Sequence, residues 1–150
     1  MHDALAILFG LKTTAIFDVW SFEHILSGIS VGSAVQHKNH TEVRKLLRTD
    51  DHNYHSWYFA LLGVLCLAYA WETIEHYLEE GLMGAAVAYW FQGVEFWPNR
   101  IISDPLLLIL GYCIARKYPT TVWPARALSL LWLVVHVFVF PHSMYLHTLF

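Results

Sequence analysis

One stretch decides the fold: residues 57–78, which read WYFALLGVLCLAYAWETIEHYL. Its first part, up to Trp71, carries no charged residue, but it is shorter than the roughly 20 residues that a membrane-spanning helix needs. The stretch reaches that length only by including Glu72, Glu75 and His76. It therefore predicts a transmembrane helix that carries titratable groups at one end.

The composition of the whole chain agrees with a membrane protein. Of its 150 residues, 57% are hydrophobic and 14% are charged, and the mean hydropathy is +0.43. Soluble domains contain about 45–50% apolar and about 25% charged residues. We expect one integral-membrane domain over residues 1–150. The net charge of −3 argues against a nucleic-acid partner, since no basic face is available for phosphates.

Three further stretches reach spanning length only by including ionisable residues. We therefore predict an all-α, polytopic membrane helix bundle with about four transmembrane helices. A short apolar stretch, residues 83–91, predicts an interfacial or re-entrant helix between the second and third spans. The additional spans are residues 13–35 with Asp18, Glu23 and His24, residues 101–115 with Asp104, and residues 127–146 with His136 and, near its end, His142.

The cations between the spans predict the orientation. Seven of the nine Lys and Arg residues fall in the predicted loops 36–56 and 116–126. The positive-inside rule puts both loops in the cytoplasm. The N-terminus and the C-terminus are then expected outside.

This orientation gathers acids and histidines from three spans near the outer face. Ionisable groups at membrane depth are expensive, so they normally face the bundle interior and mark function. As an enzyme, the chain would use a carboxyl such as Glu75 as general acid or base with His24, while Asp104 orients the partner and Arg100 holds a phosphate or carboxylate. The candidate catalytic residues are His24, Glu72, Glu75 and Asp104, and the candidate substrate-binding residues are Arg100, Asn99, Glu23 and Tyr69.

Two other functions are compatible with the same pattern. Nitrogen and oxygen donors on several helices could bind a divalent metal, Zn or Fe, whereas haem is a less favoured alternative. The candidate metal ligands are His24, Glu72, Glu75, His76 and Asp104. Alternatively, the small residues Gly28 and Gly32 could dock the chain against a membrane-protein partner or a second copy, as an accessory subunit surrounded by membrane lipids.

Some residues carry no functional expectation. Glu79 and Glu80 follow the second span directly, so they are expected to form a solvated helix end. Cys66 and Cys113 fall within apolar runs and are expected to be small buried hydrophobes.

An ordered set of motifs resembles the small VanZ-like inner-membrane proteins of bacteria, in particular their uncharacterised relatives. The motifs are residues 22–28 (FEHILSG), 71–75 (WETIE), 99–104 (NRIISD), 110–112 (LGY) and 115–119 (ARKYP), within a resemblance that covers roughly residues 18–119. The resemblance implies a bacterial inner-membrane location, with His24, Glu72, Glu75 and Asp104 as the family's polar set. By analogy it implies action at the outer leaflet on a lipid-linked or otherwise amphiphilic compound. The sequence departs from the family pattern at His76, where those relatives tend to carry Asn.

Overall fold

The computed structural model describes residues 2–47 and 57–139, and within these ranges the chain is helical and forms no β-strand. The predicted all-α class is confirmed. A π-helical segment, Asn99–Ser103, leads into the fifth helix, and another, Val135–Val139, follows the sixth. The α-helices are α1 (His2–Leu8), α2 (Ser21–Leu47), α3 (Trp57–Glu79), α4 (Ala85–Phe91), α5 (Asp104–Lys117) and α6 (Val122–Val134).

Helix α2 begins at Ser21, so the predicted start of the first span near Thr13 is wrong. Asp18 explains the difference, because its Oδ1 accepts hydrogen bonds from the backbone N–H groups of Trp20 (2.7 Å) and Ser21 (3.1 Å). The Ser21 hydroxyl in turn accepts one from the backbone N–H of Asp18 at 3.0 Å. This reciprocal cap satisfies donors that a helix start leaves without partners and fixes where α2 begins.

The predicted loop 36–56 is helical over residues 36–47, which continue α2. Side chains one turn apart support this extension: Glu42 lies 3.6 Å from the Lys38 ammonium and 3.2 Å from that of Lys45. The rest of that loop lies outside the described residues, as does His142 at the predicted end of the fourth span.

The predicted loop 116–126 is also largely helical. Helix α5 extends to Lys117, a 3₁₀ turn covers Pro119–Thr121, and α6 starts at Val122 rather than near Ala127. Pro119 lies at the first position of the turn, where its missing N–H leaves no helical hydrogen bond unmade. The connection between α5 and α6 is therefore short.

Helices α2 and α5 cross at glycines. A Cβ atom added to Gly28 would lie 2.1 Å from the Leu108 carbonyl oxygen, and one added to Gly111 would lie 2.2 Å from that of Ile25. Gly32 also faces Tyr112 on α5 without room for a Cβ, so both glycines are in contact with a neighbouring helix of the same chain. This crossing brings the starts of α2 and α5 together.

One helix in the described part of the chain, α3, is long and apolar enough to cross a membrane. Its apolar side chains are partly exposed, among them Leu62 and Leu67. Cys66 on α3 and Cys113 on α5 are exposed as well, so the expectation that they are buried is wrong.

Candidate functional site

Three helix segments converge at one end of the molecule and bring His24, Glu72 and Asp104 together. We call these three residues the His24 cluster. The imidazole Nδ1 lies 3.7 Å from Glu72 Oε1, and Nε2 lies 3.2 Å from Asp104 Oδ2. All three side chains are buried, and one donor atom from each lies within 4.8 Å of the others. The cluster thus joins α2, α3 and α5 through titratable groups.

Local structure positions each member of this cluster. His24 lies in the first turn of α2, directly after the Asp18 cap. Asp104 is the first residue of α5 and is followed by Pro105, which is tolerated in a first helical turn. The π-helical segment before α5 contains Asn99 and Arg100, both of which are buried. Such π-helical turns are frequent at functional sites because they re-aim side chains within a helix.

A second group of charged side chains lies beside the first. It consists of Lys12, Glu75, Glu79, Glu95 and Arg100, and we call it the Glu79 cluster. Lys12 Nζ donates to Glu79 Oε1, while Arg100 Nη2 (2.5 Å) and the backbone N–H of Glu95 (3.0 Å) donate to Glu79 Oε2. Lys12 Nζ is also 3.9 Å from Glu75 Oε1. Both oxygens of Glu79 are therefore partnered, and the two cations are tied to this carboxylate.

Arg100 lies between the two clusters. Its Nε is 3.8 Å from Glu72 Oε2, its Nη1 is 3.2 Å from His76 Nδ1, and its Nη2 is 3.4 Å from Glu95 Oε2. These contacts surround the guanidinium group with protein carboxylates and one imidazole. Electrostatically, Arg100 partly neutralises the acids of α3 and of the segment before α5.

Asn99 links the same groups by hydrogen bonds. Its side-chain nitrogen donates to Glu95 Oε1 at 2.8 Å and to Asp18 Oδ2 at 3.4 Å. Glu95 lies in the connection between α4 and the π-helical segment. Burial raises the pKa of the Glu95 carboxyl, and the neighbouring Asp104 carboxyl raises it further.

The remaining predicted residues lie around this core. Tyr69 is exposed on α3, and its hydroxyl donates to the Ile101 carbonyl at 3.1 Å. Glu23 Oε1 accepts hydrogen bonds from the Ser27 hydroxyl at 3.1 Å and from the Ser129 hydroxyl on α6. His136 is buried against Trp132, and its Nδ1 lies 2.7 Å from the Trp132 carbonyl oxygen.

A cavity of about 420 Å³ opens beside the two clusters. Its polar end is formed by Glu23, His24 and Glu75, and its walls beyond that end are apolar. Two buried polar atoms of residues lining this end, Trp20 Nε1 and Glu23 Oε2, have no hydrogen-bond partner among the described residues. The apolar walls include Val31, Val35, Val64, Leu67 and Leu133.

Three buried members of the Glu79 cluster were not among the predicted site residues: Lys12, Glu79 and Glu95. The expectation that Glu79 is solvated is wrong, since the residue is 5% exposed. Lys12 and Glu95 lie in connecting segments where charge normally indicates contact with water. One signal was available: Lys12 and Arg100 are the two cations outside the basic loops, and each needs a carboxylate if it is buried.

The chain was compared with known protein families, with curated proteins and with solved structures, and none of the three comparisons finds a match. Inference about function therefore rests on the geometry of the site.

Proposed function

We propose that the chain is an integral membrane protein whose cavity binds an amphiphilic, lipid-like compound. The apolar part of the ligand lies between α2, α3 and α6, and its polar group lies at Glu23, His24 and Glu75. The observation that carries this proposal is the cavity itself, which is apolar along its length and ends at carboxyl and imidazole groups. Ligand sites are commonly apolar with a few convergent polar groups.

The shape of the cavity follows two antiparallel helices. On α2 it extends from Glu23 to Val35, and on α3 from Glu75 to Val64. Each of these stretches advances about 16–18 Å along the helix axis. The polar ends of both stretches meet at the same place, so an extended alkyl chain with one polar end fits this arrangement.

The polar end favours a ligand group that donates hydrogen bonds or carries positive charge. Glu23 Oε2 is a buried acceptor without a described partner, and Glu75 adds a second carboxyl. A buried acceptor is costly unless it is hydrogen-bonded. An amine or hydroxyl group would supply the missing donor. Glu75, which also lines the cavity, is the candidate general acid or base if the ligand is processed there.

Two features support a membrane location with four spans: the lengths of the helices and the outward position of large apolar side chains. Residues 99–117 and 122–139 are each continuously helical, and residues 99–117 extend about 28 Å along their axis, close to the thickness of a hydrocarbon core. Large apolar side chains on α3 and α6 face outward while the ionisable groups are buried. Apolar side chains outside and ionisable groups inside are the reverse of the arrangement in a soluble protein, and they are typical of proteins surrounded by lipid.

Photocrosslinking in lipid discs tests the binding proposal. Dodecylamine and dodecanoate, each with a diazirine at the methyl end, are compared on the purified protein. The amine is expected to label peptides around Val35 and Val64, and unlabelled dodecylamine is expected to compete. The acidic polar end should make labelling by dodecanoate much weaker, and Glu75→Gln should reduce this difference.

A matched pair of variants separates the cavity from general lipid contact. Leu67 lines the cavity and is 46% exposed, whereas Leu62 on the same helix is 58% exposed and does not line it. Leu67→Trp fills the cavity and should abolish specific labelling, while Leu62→Trp should preserve it. Equal labelling of both variants would reject the proposed binding site.

A further inference from the structure

We propose that the His24 cluster binds one divalent first-row transition-metal ion, such as Zn²⁺, through His24, Glu72 and Asp104. The three side chains come from α2, α3 and α5, and they are 8%, 3% and 0% exposed. One donor atom from each lies within 4.8 Å of the others. A small closure of these side chains brings the donors to the roughly 2.0–2.2 Å distances that Zn²⁺ requires.

A second observation points to a ligand at this place. No backbone, ammonium, guanidinium or alcohol group in the described part of the chain donates a hydrogen bond to either oxygen of Asp104, and the same is true of Glu72 Oε2. Buried carboxylate oxygens nearly always have a hydrogen-bond partner or a metal ion. Asp104 Oδ2 is directed into the cluster, 3.2 Å from His24 Nε2. Glu72 faces His24 with Oε1, at 3.7 Å from Nδ1, whereas its Oε2 lies on the side of Arg100. A bound cation would supply the missing partner.

The two cationic side chains nearby, Lys12 and Arg100, donate hydrogen bonds to the Glu79 cluster rather than to the His24 cluster. Lys12 donates to Glu79, and Arg100 donates to the same carboxylate through Nη2. The Arg100 Nε atom approaches Glu72 only to 3.8 Å and makes no hydrogen bond. The three carboxylates Glu75, Glu79 and Glu95 also lie close together, but Lys12 and Arg100 offset two of their three negative charges. Neither Lys12 nor Arg100 donates a hydrogen bond to Glu72 or Asp104, so these two carboxyl groups remain available to a cation.

The donor set indicates the class of metal. One imidazole and two carboxylates suit Zn²⁺, Fe²⁺ or Mn²⁺, whereas Ca²⁺ and Mg²⁺ prefer oxygen donors alone. Three protein ligands leave at least one coordination position open, which is the arrangement of catalytic rather than structural zinc sites. His24 also lines the cavity, so an ion bound here would lie next to the polar group of the proposed amphiphile. The metal site extends the proposed function but does not depend on it.

Metal binding is tested on the detergent-purified full chain after removal of metal with a chelator. Zn²⁺ is added back, its stoichiometry is measured by elemental analysis, and its affinity is measured by competition with a chromophoric chelator. Glu72→Gln and Asp104→Asn should each lower the affinity by more than about 100-fold, because loss of even an outer-shell partner costs about 10- to 100-fold. Glu80→Gln is the control, since Glu80 is an exposed acid that directly follows α3 and lies outside both clusters. It should bind Zn²⁺ as the wild type does.

A spectroscopic measurement keeps the proposal testable if the variants fail to fold. Wild-type protein loaded with Co²⁺ should show visible ligand-field bands that Zn²⁺ displaces at one equivalent. Absence of these bands would overturn the proposal. So would an unchanged affinity and stoichiometry in well-folded Glu72→Gln and Asp104→Asn proteins, because the ion would then be bound by other histidines. Neither result would affect the crosslinking test of the cavity.

Discussion

At the scale of single residues, Glu79 is the carboxylate to which both cations of the Glu79 cluster, Lys12 and Arg100, donate hydrogen bonds. Its two oxygens accept hydrogen bonds from Lys12, Arg100 and the backbone of Glu95. These partners come from the segment before α2, the π-helical segment and the connection after α4. The Glu79 carboxylate thus connects these three segments to the end of α3.

Replacing Glu79 should therefore be far more damaging than replacing its neighbour. Glu79→Ala leaves Lys12 and Arg100 buried without their main acceptor, which typically costs about 3–5 kcal/mol. Glu80 is exposed, and Glu80→Ala should change stability by less than about 0.5 kcal/mol. Unfolding of both variants in the same detergent measures the difference. Equal stabilities would mean that Glu79 is solvated in the protein.

The residues of the His24 cluster were predictable because they share a simple physical property. His24, Glu72 and Asp104 each lie inside or next to an apolar run, where an ionisable group requires partners. Lys12 and Glu95 lacked this signal, because they occur in short connections between apolar segments. Their burial depends on contacts with residues far away in the chain, such as Lys12 with Glu79, and no local spacing encodes such contacts.

At the scale of elements, the contact between Gly28 on α2 and Gly111 on α5 determines how close the two cluster-bearing helices lie. Because a Cβ at either glycine would overlap backbone atoms of the other helix, the two helices pack in backbone contact. Asp104 lies two turns before Gly111, and His24 lies about one turn before Gly28. The distance between His24 and Asp104 therefore depends on this crossing.

Enlarging Gly28 should separate the helices and disrupt the His24 cluster. Gly28→Leu is expected to lower the free energy of unfolding by at least about 3 kcal/mol, at the upper end of the cost of overpacking. Ala34→Leu places the same side chain at an exposed position of α2 and should be close to neutral. Thermal unfolding in detergent compares the two variants. A stable Gly28→Leu protein would show that the helices do not cross at this residue.

Helix positions were predictable from apolar runs, whereas helix ends were not. The start of α2 depends on the Asp18 cap, and its end depends on ion pairs around Glu42. The cap and the ion pairs are local polar interactions, and a hydropathy pattern does not reveal them. Apolar runs accordingly do not indicate that α2 continues through its polar half, residues 36–47.

At the scale of the whole molecule, the His24 and Glu79 clusters, with most of the buried acids, lie at one end, and the cations at the end of α5 lie at the other. The acidic end contains the starts of α2 and α5 and the end of α3. At the other end, the Arg116 guanidinium of α5 lies 5.3 Å from the centre of the Trp57 ring, at the start of α3. The helices therefore alternate in direction, as four consecutive spans would. The positive-inside rule then favours a cytoplasmic basic end.

Cysteine labelling in intact bacterial cells tests this orientation. In a background in which Cys66 and Cys113 are alanine, single cysteines replace Leu82, which is 72% exposed after α3, and Lys117 at the end of α5. The four-span proposal predicts that a membrane-impermeant maleimide labels Leu82→Cys in intact cells but labels Lys117→Cys only after the cells are permeabilised. Labelling of both cysteines in intact cells would place the end of α3 and the end of α5 on the same side of the membrane and reject the spanning model. The reverse pattern would keep four spans but put the His24 cluster near the cytoplasmic face, where a ligand from the outer leaflet could not reach it.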